Sequence, residues 1–300
     1  MKRVVGVSLG SSKRNKTVVV EYLGQTLSVE RIGVDGDIKR AVDLIKELDG
    51  KVEAFGMGGI DLWIRSRSKD YLLQAAVPIA EAPKATPMVD GGGLKHILER
   101  RLIEQLDSTG TVDFKGKHAF IVSAMSHFGL ADALTDRGCD LALGDLAFAL
   151  GVPIMIRSAD TLDFLAKFIA PLACRLPLSM LYPTGEKQEK NEPKFVKWYE
   201  WADIVTGDFH FIKKHMPVDM HGKIIITNTI TDDDVKFLTD RGISLLATVT
   251  PEMDGRSFGV NVMEAMLLTL SGKGREVTPK DYEELVEKLD MKPRIQWLNR

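Results

Sequence analysis

The run Phe120-Ile121-Val122-Ser123-Ala124-Met125-Ser126-His127-Phe128-Gly129-Leu130 decides the fold. A short apolar stretch passes through a turn of small and polar residues into a helical segment over residues 128–137, which is the strand–turn–helix unit of a parallel sheet. Outward from it, the spacing predicts strands over residues 118–123, 141–146 and 153–156 and a helix over 162–169. Further strands follow at 204–207, 223–227 and 245–249, with helices at 231–241 and 261–270. The 231–241 helix is well signed: Thr231 caps it, Asp232, Asp233 and Asp234 fill its first turn, and Gly242 closes it. The last helix opens at Thr278-Pro279.

Upstream, residues 4–8, 17–22 and 27–32 read as strands, the first two joined by the polar turn 11–16. Asp37 caps a helix carrying Ile38, Ala41, Val42, Ile45 and Leu48, and residues 52–56 form a strand that runs into Gly56-Met57-Gly58-Gly59. Pro83, Pro87 and Gly91-Gly92-Gly93 punctuate a junction. A long helix then carries Leu94, Ile97, Leu98, Leu102, Ile103 and Leu106 on one stripe. The predicted class is α/β, a Rossmann-like doubly wound parallel sheet with a smaller N-terminal α/β domain. The expected division is a substrate-type domain over 1–95, a linker helix over 96–116, a Rossmann-like nucleotide-binding domain over 117–272, and a C-terminal helix and tail over 273–300.

Composition narrows the function. A net charge of −2 over 300 residues argues against nucleic-acid binding, which calls for a basic excess. Cys139 and Cys174 make no CxxC pair and no disulfide framework, so a reducing, cytoplasmic setting is expected. The longest apolar stretch, around 162–181, is broken by Lys167, Pro171, Arg175 and Pro177, and no membrane span is expected. No HExxH, CxxC or carboxylate cluster with ligand spacing predicts a metal, and no GxSxG elbow predicts a hydrolase. A homodimer is the base-rate expectation for the assembly.

Open parallel sheets bind ligands at the carboxyl ends of their strands, where helix N-termini offer backbone N–H groups to phosphates. Ser123, Ala124, Phe128 and Gly129 therefore mark the expected phosphate turn, and the alternative is a structural turn with no ligand. Asp145, at the end of the next predicted strand, is placed to accept from ribose hydroxyls and to favour NAD over NADP, or else to cap the next turn. Thr227 and Asn228 end a strand and are placed to line the nicotinamide side. His210, after Gly207-Asp208-Phe209, is a candidate proton-transfer group or a surface histidine. Asp90, beside three glycines, either faces a cleft or caps the following helix. The polar run 183–191, with Lys187 and Lys190, is either an anion-binding loop or a solvated one.

The segment Asp90-Gly91-Gly92-Gly93-Leu94 resembles the Thr-Asp-Gly-x-Gly-Phe segment of the shikimate/quinate dehydrogenase superfamily. The later run Asp233-Asp234-Val235-Lys236-Phe237-Leu238 with Gly242, followed by Asn261-Val262-Met263-Glu264-Ala265-Met266, is similar to that family's closing pattern. The resemblance implies a small-molecule hydroxy-acid substrate, NAD or NADP as cofactor, and Asp90 in a catalytic Lys/Asp pair. It also implies a final helix that returns to the first domain. The family's lysine-bearing Asn-Val-Thr-x-Pro-x-Lys motif has no match, so Lys84 and Lys95 enter as neighbours of Asp90. Glu264 stands where the family has a glutamine. The expectation is an NAD(P)-dependent oxidoreductase acting on a CH–OH group; the alternative is a non-catalytic or regulatory protein that binds a nucleotide or small anion.

Overall fold

Strands with apolar residues on both faces need cover on both sides, and the chain supplies it with two mainly parallel sheets and helices between and outside them. The computed structural model describes residues 1–176 and 191–299. In the first half, β1 (Lys2–Ser8), β2 (Lys16–Tyr22), β3 (Gln25–Gly33) and β4 (Ala54–Gly58) precede a small ribbon, β5 (Trp63–Arg65) with β6 (Asp70–Leu72), and the short β7 (Met88–Val89). Their sheet runs β2-β3-β1-β4-β7, parallel throughout except for the β2–β3 hairpin. In the second half come β8 (His118–Ile121), β9 (Asp140–Leu143), β10 (Ile204–Thr206), β11 (Ile224–Thr227) and β12 (Leu245–Thr248). The ribbon β13 (Glu252–Met253) with β14 (Arg256–Ser257) and the last strand β15 (Arg294–Trp297) complete it. The order is β15-β12-β11-β10-β8-β9, with only β15 antiparallel. This is an α/β fold with a Rossmann-like, doubly wound parallel sheet and a smaller N-terminal α/β unit.

The helix Gly92–Ser108 lies in the apolar layer between the halves: Leu98 and Leu102 share one cluster with Val4 and Val29 of the first sheet and Ala119 and Ile121 of the second. The helix Val260–Ser271 returns to the first sheet, buried along almost its whole length. It comes so close that a Cβ at Gly56 would lie 2.7 Å from the Asn261 carbonyl oxygen. Gly91, at φ 96°, takes the left-handed turn that starts the Gly92–Ser108 helix beneath it. Among the described residues no helix is long and apolar enough to cross a membrane.

Several elements depart from the sequence expectation. The strand expected over 141–146 stops at Leu143, and Asp145–Leu150 is a helix. Residues 153–156 pair only through a single bridge from Ile156 to Leu143. Asp208 caps a helix at Phe209–His215, which the sequence reading did not assign, by accepting from the His210 amide. The ribbons and β15 are two to four residues long, too short to show a period. Lys187 and Lys190, with the rest of the run up to residue 190, lie outside the described residues.

Candidate functional site

Each sheet has a switch point, where the chain leaves a strand for a neighbour on one side and comes back on the other; crevices at such points hold ligands in open parallel sheets. In the first sheet it falls between β1 and β4, whose last residues Ser8 and Gly58 lie side by side. The ends of β10 and β11 face it from the second half. The resulting cleft, about 100 Å3, is lined by Ser8 and Gly58 on one side and by Asp208, His210 and Asn228 on the other.

One end of this cleft is strongly cationic. Arg14 follows β1 in a 3-10 turn, Arg31 projects from β3, and Arg256 comes from the β13–β14 ribbon. All three are buried, at 8%, 8% and 4% exposure. Arg31 donates to the Ser11 carbonyl at 3.0 Å and to Ser8 Oγ at 3.0 Å. Arg256 donates to the Arg14 carbonyl. Arg14 pairs with Asp234 at 3.1 Å, but Asp234 is also held by Lys213 at 2.8 Å. Asp35, the carboxylate that acts on Arg31, is exposed. Burial, together with Arg256 and Arg14, pulls the Arg31 guanidinium down to about 9, and burial and Arg14 bring Arg256 to about 10. Both stay charged at neutral pH. Arg14 Nε and Arg256 Nε and Nη2 are buried with no hydrogen-bond partner among the described residues. Buried donors of this kind are costly unless satisfied.

The other end is mixed. Lys95 Nζ donates to Asp61 Oδ1 at 2.9 Å, and although burial opposes its charge, Asp61 and Glu99 raise its pKa. Lys95 is therefore an ammonium, suited to hold an oxyanion and not to act as a base. Asp90 accepts from the Leu62 amide at 3.1 Å and the Gly92 amide at 2.9 Å, so it both faces the cleft and ties down the start of the following helix. Behind Asp90, burial and the Asp90 charge push the Glu264 carboxyl up to about 7.

Asp90, Lys95, His210 and Asn228 thus line one cleft. The other sequence candidates do not join them as expected. Lys84 is exposed, its ammonium donating to the Glu81 carbonyl at 3.0 Å and its amide to Asp49, because it belongs to a surface turn organised by that aspartate. The His210 ring is pulled down to about 4 by burial and by Arg14, so it is neutral near pH 7 and does not titrate there. Thr227 is buried and spends its hydroxyl on the Gly207 carbonyl at 2.7 Å.

The expected phosphate turn is corrected most. The amides of Ala124 and Met125 donate to the Asp145 carboxylate at 3.1 and 2.8 Å. Asp145 therefore takes the place an anion would occupy, and is not free for a ribose. Phe128 is a core side chain, Gly129 is buried against Glu99, and the His127 ring meets Glu99 Oε1 at 2.6 Å. Of this turn only the Ser123 hydroxyl is buried without a partner, at the edge of a separate, apolar cavity of about 110 Å3 walled by Leu146, Ile156 and Leu162. The residues present do not fit a pyrophosphate here.

The arginines escape a sequence reading because they come from three separate elements. Arg14 lies in a Gly-Ser-Ser turn that follows a parallel strand, and Arg31 is a charge on the buried strand face that it shares with Leu27 and Val29. Those are the only local signals, and Arg256 has none. Among the described residues no group of three or more His, Cys, Asp or Glu side chains could hold a metal ion.

Solved structures similar to this chain include a hetero-hexameric glutamate dehydrogenase from Thermus thermophilus, at 12% identity and TM-score 0.42, covering 96% of this chain and 73% of that one. GanP, a glucose-galactose binding protein from Geobacillus stearothermophilus, is 11% identical with TM-score 0.38, covering 99% and 97%. A galactofuranose binding protein is 11% identical with TM-score 0.34, covering 97% and 99%. Scores this low carry no argument about function. No curated protein matches the chain. Residues 3–90 match the family model described as Domain of unknown function (DUF8753). Residues 93–298, more than half of the chain, match Domain of unknown function (DUF8754), and the chain belongs to that family.

Proposed function

We propose that the protein binds a small anionic metabolite in the cleft between its two α/β halves. One observation carries this reading: three buried guanidinium groups, those of Arg14, Arg31 and Arg256, line one cleft, while Asp234, the buried carboxylate paired with Arg14, is shared with Lys213. Buried charges are ordinarily paired, and planar guanidinium forks match carboxylate and phosphate oxygens. Isothermal titration and thermal unfolding against inorganic phosphate, malate, NAD and NADP test it. An anion at 100 times its Kd adds about 2.7 kcal/mol of stability. If the wild-type protein responds to none of these anions, the reading fails.

A second reading, an NAD(P)-linked oxidoreductase of the shikimate/quinate kind, draws its support from Lys95 and Asp90 on the same cleft as Asn228. Lys95 would hold a substrate oxyanion, while Asp90 would orient a hydroxyl. The Ser123–Gly129 turn gives this reading no support, because Asp145 occupies its amides. Turnover of a hydroxy-acid panel with either dinucleotide would establish it, and stabilisation by anions without any response to NAD or NADP would exclude it.

A further inference from the structure

The cleft is polarised, and its polarity names a ligand class. This inference rests on the anion-binding reading above and deepens it. The geometry points to a small phosphorylated polyhydroxy compound, with its phosphoryl group on Arg14, Arg31 and Arg256 and its hydroxyls toward Asp90, Asp61 and Asn228.

Three features of the site support that assignment. First, the arginines are under-compensated. Asp234 is shared between Arg14 and Lys213, and Asp35 is exposed, so a dianion suits them better than a single carboxylate does. The three guanidinium groups reach the cleft from three elements, and a tetrahedral group with three terminal oxygens can accept from several directions at once where a planar carboxylate offers two.

Second, the opposite end has what hydroxyl groups need. Carboxylates accept from O–H donors, and each Asp90 oxygen that takes one backbone N–H keeps further lone-pair capacity. The Lys95 ammonium donates to acceptors there; along the wall between the ends, next to Thr229 whose carbonyl accepts from Arg14, the Asn228 carboxamide uses Oδ1 on the Thr229 amide at 2.6 Å and keeps its N–H groups to donate. Asp61 is paired with Lys95 and Asp90 lies 3.7 Å from the Arg65 guanidinium, so this end is close to neutral and suits hydroxyl groups.

Third, the space is small. A volume of about 100 Å3 is below the roughly 150 Å3 that accepts one benzene in an engineered cavity, so it encloses a phosphoryl group and little more, and the hydroxylated carbons lie along the open wall of the cleft.

The test is titration calorimetry in a phosphate-free buffer with inorganic phosphate, glycerol, glycerol 3-phosphate and malate as probes. Inorganic phosphate is expected to bind, and glycerol 3-phosphate to bind about tenfold more tightly, since its hydroxyls add hydrogen bonds that inorganic phosphate lacks. Glycerol alone should give no heat. The Asp61→Asn and Asn228→Ala variants should each bring the ester to within about twofold of inorganic phosphate without weakening the latter; the two are used together because Asp61→Asn disturbs the Lys95 pair. If the ester binds no better than inorganic phosphate, or malate binds better than the ester, the phosphorylated-polyol assignment falls while the anion site stands. If none of the anions binds the wild-type protein, both fall.

Discussion

Replacing Arg31 by methionine should make the protein more stable and less able to bind. Arg31 is 8% exposed, and burial beside Arg256 and Arg14 lowers its pKa from the ordinary arginine value to about 9. A fall of more than three decades corresponds to roughly 4–5 kcal/mol spent on keeping that charge in the folded state. The sign follows from the direction. A cation depressed by folding costs stability at every pH below about 9, and the cost fades only as the pH climbs through that value. Methionine removes the charge at similar length, but it leaves the Ser11 carbonyl and the Ser8 hydroxyl without their donor, a loss of about 1–3 kcal/mol. The net expectation at pH 7 is a gain of about 2 kcal/mol, or several degrees in Tm for a chain of this size. Urea denaturation of both proteins, with and without inorganic phosphate, measures it. The variant should unfold at higher urea without the ion and show none of the stabilisation by phosphate that the wild type shows. A variant that is clearly destabilised while keeping its full response to phosphate would refute the reasoning.

Other expectations follow from the same structure. Burial pushes the Asp145 carboxyl up to about 6 against the pull of its two amide donors, so its contribution to stability is full below about pH 4 and is lost as the pH rises through 6. Asp145→Asn keeps one acceptor for the two amides and should be less stable than the wild type by about 1–3 kcal/mol near pH 4, and it should recover up to about 3 kcal/mol relative to the wild type by pH 8, as read from denaturation curves at both pH values. Glu264, pushed to about 7 by burial and by Asp90, obeys the same sign, with the change between about pH 4 and pH 7. Glu264→Gln should gain about 3 kcal/mol at pH 8 and nothing at pH 4, and equal gains at the two values would contradict the assignment. Gly56→Ala forces a methyl to within 2.7 Å of the Asn261 carbonyl and should cost about 1–3 kcal/mol, seen as a lower Tm; an unchanged Tm would mean the helix can move aside.

The fold was legible in the sequence because parallel, doubly buried strands leave continuous apolar runs, and because the helices at Asp37, Thr231 and Thr278 carry side-chain caps that the structure shows in place. The Ser123 turn shows where such reading stops. Its local sequence suits a phosphate cradle, yet whether the amides are available depends on Asp145, which folding brings onto them from beyond the next strand. Sequence alone gives that aspartate a different task. Asp90, Lys95 and Asn228 were visible as polar residues at element ends, whereas Arg31 lies within a strand and Arg256 in a ribbon too short to show any pattern. A site assembled from residues 14, 31 and 256 has no local signature, because the property that defines it, shared burial of like charges, arises only from tertiary contact.

The return of the Val260–Ser271 helix to the first sheet has a consequence for how the nascent chain matures. Val262 packs where a side chain at Gly6 would otherwise sit, and Asn261 lies over Gly56, so β1 and β4 wait for the Val260–Ser271 helix, made much later, before one face is covered. Long-range closure of this kind is slow, and it keeps apolar strands bare during synthesis. An N-terminal fragment released before that helix emerges would expose the inner surface of β1 and β4, making it a natural client for chaperones.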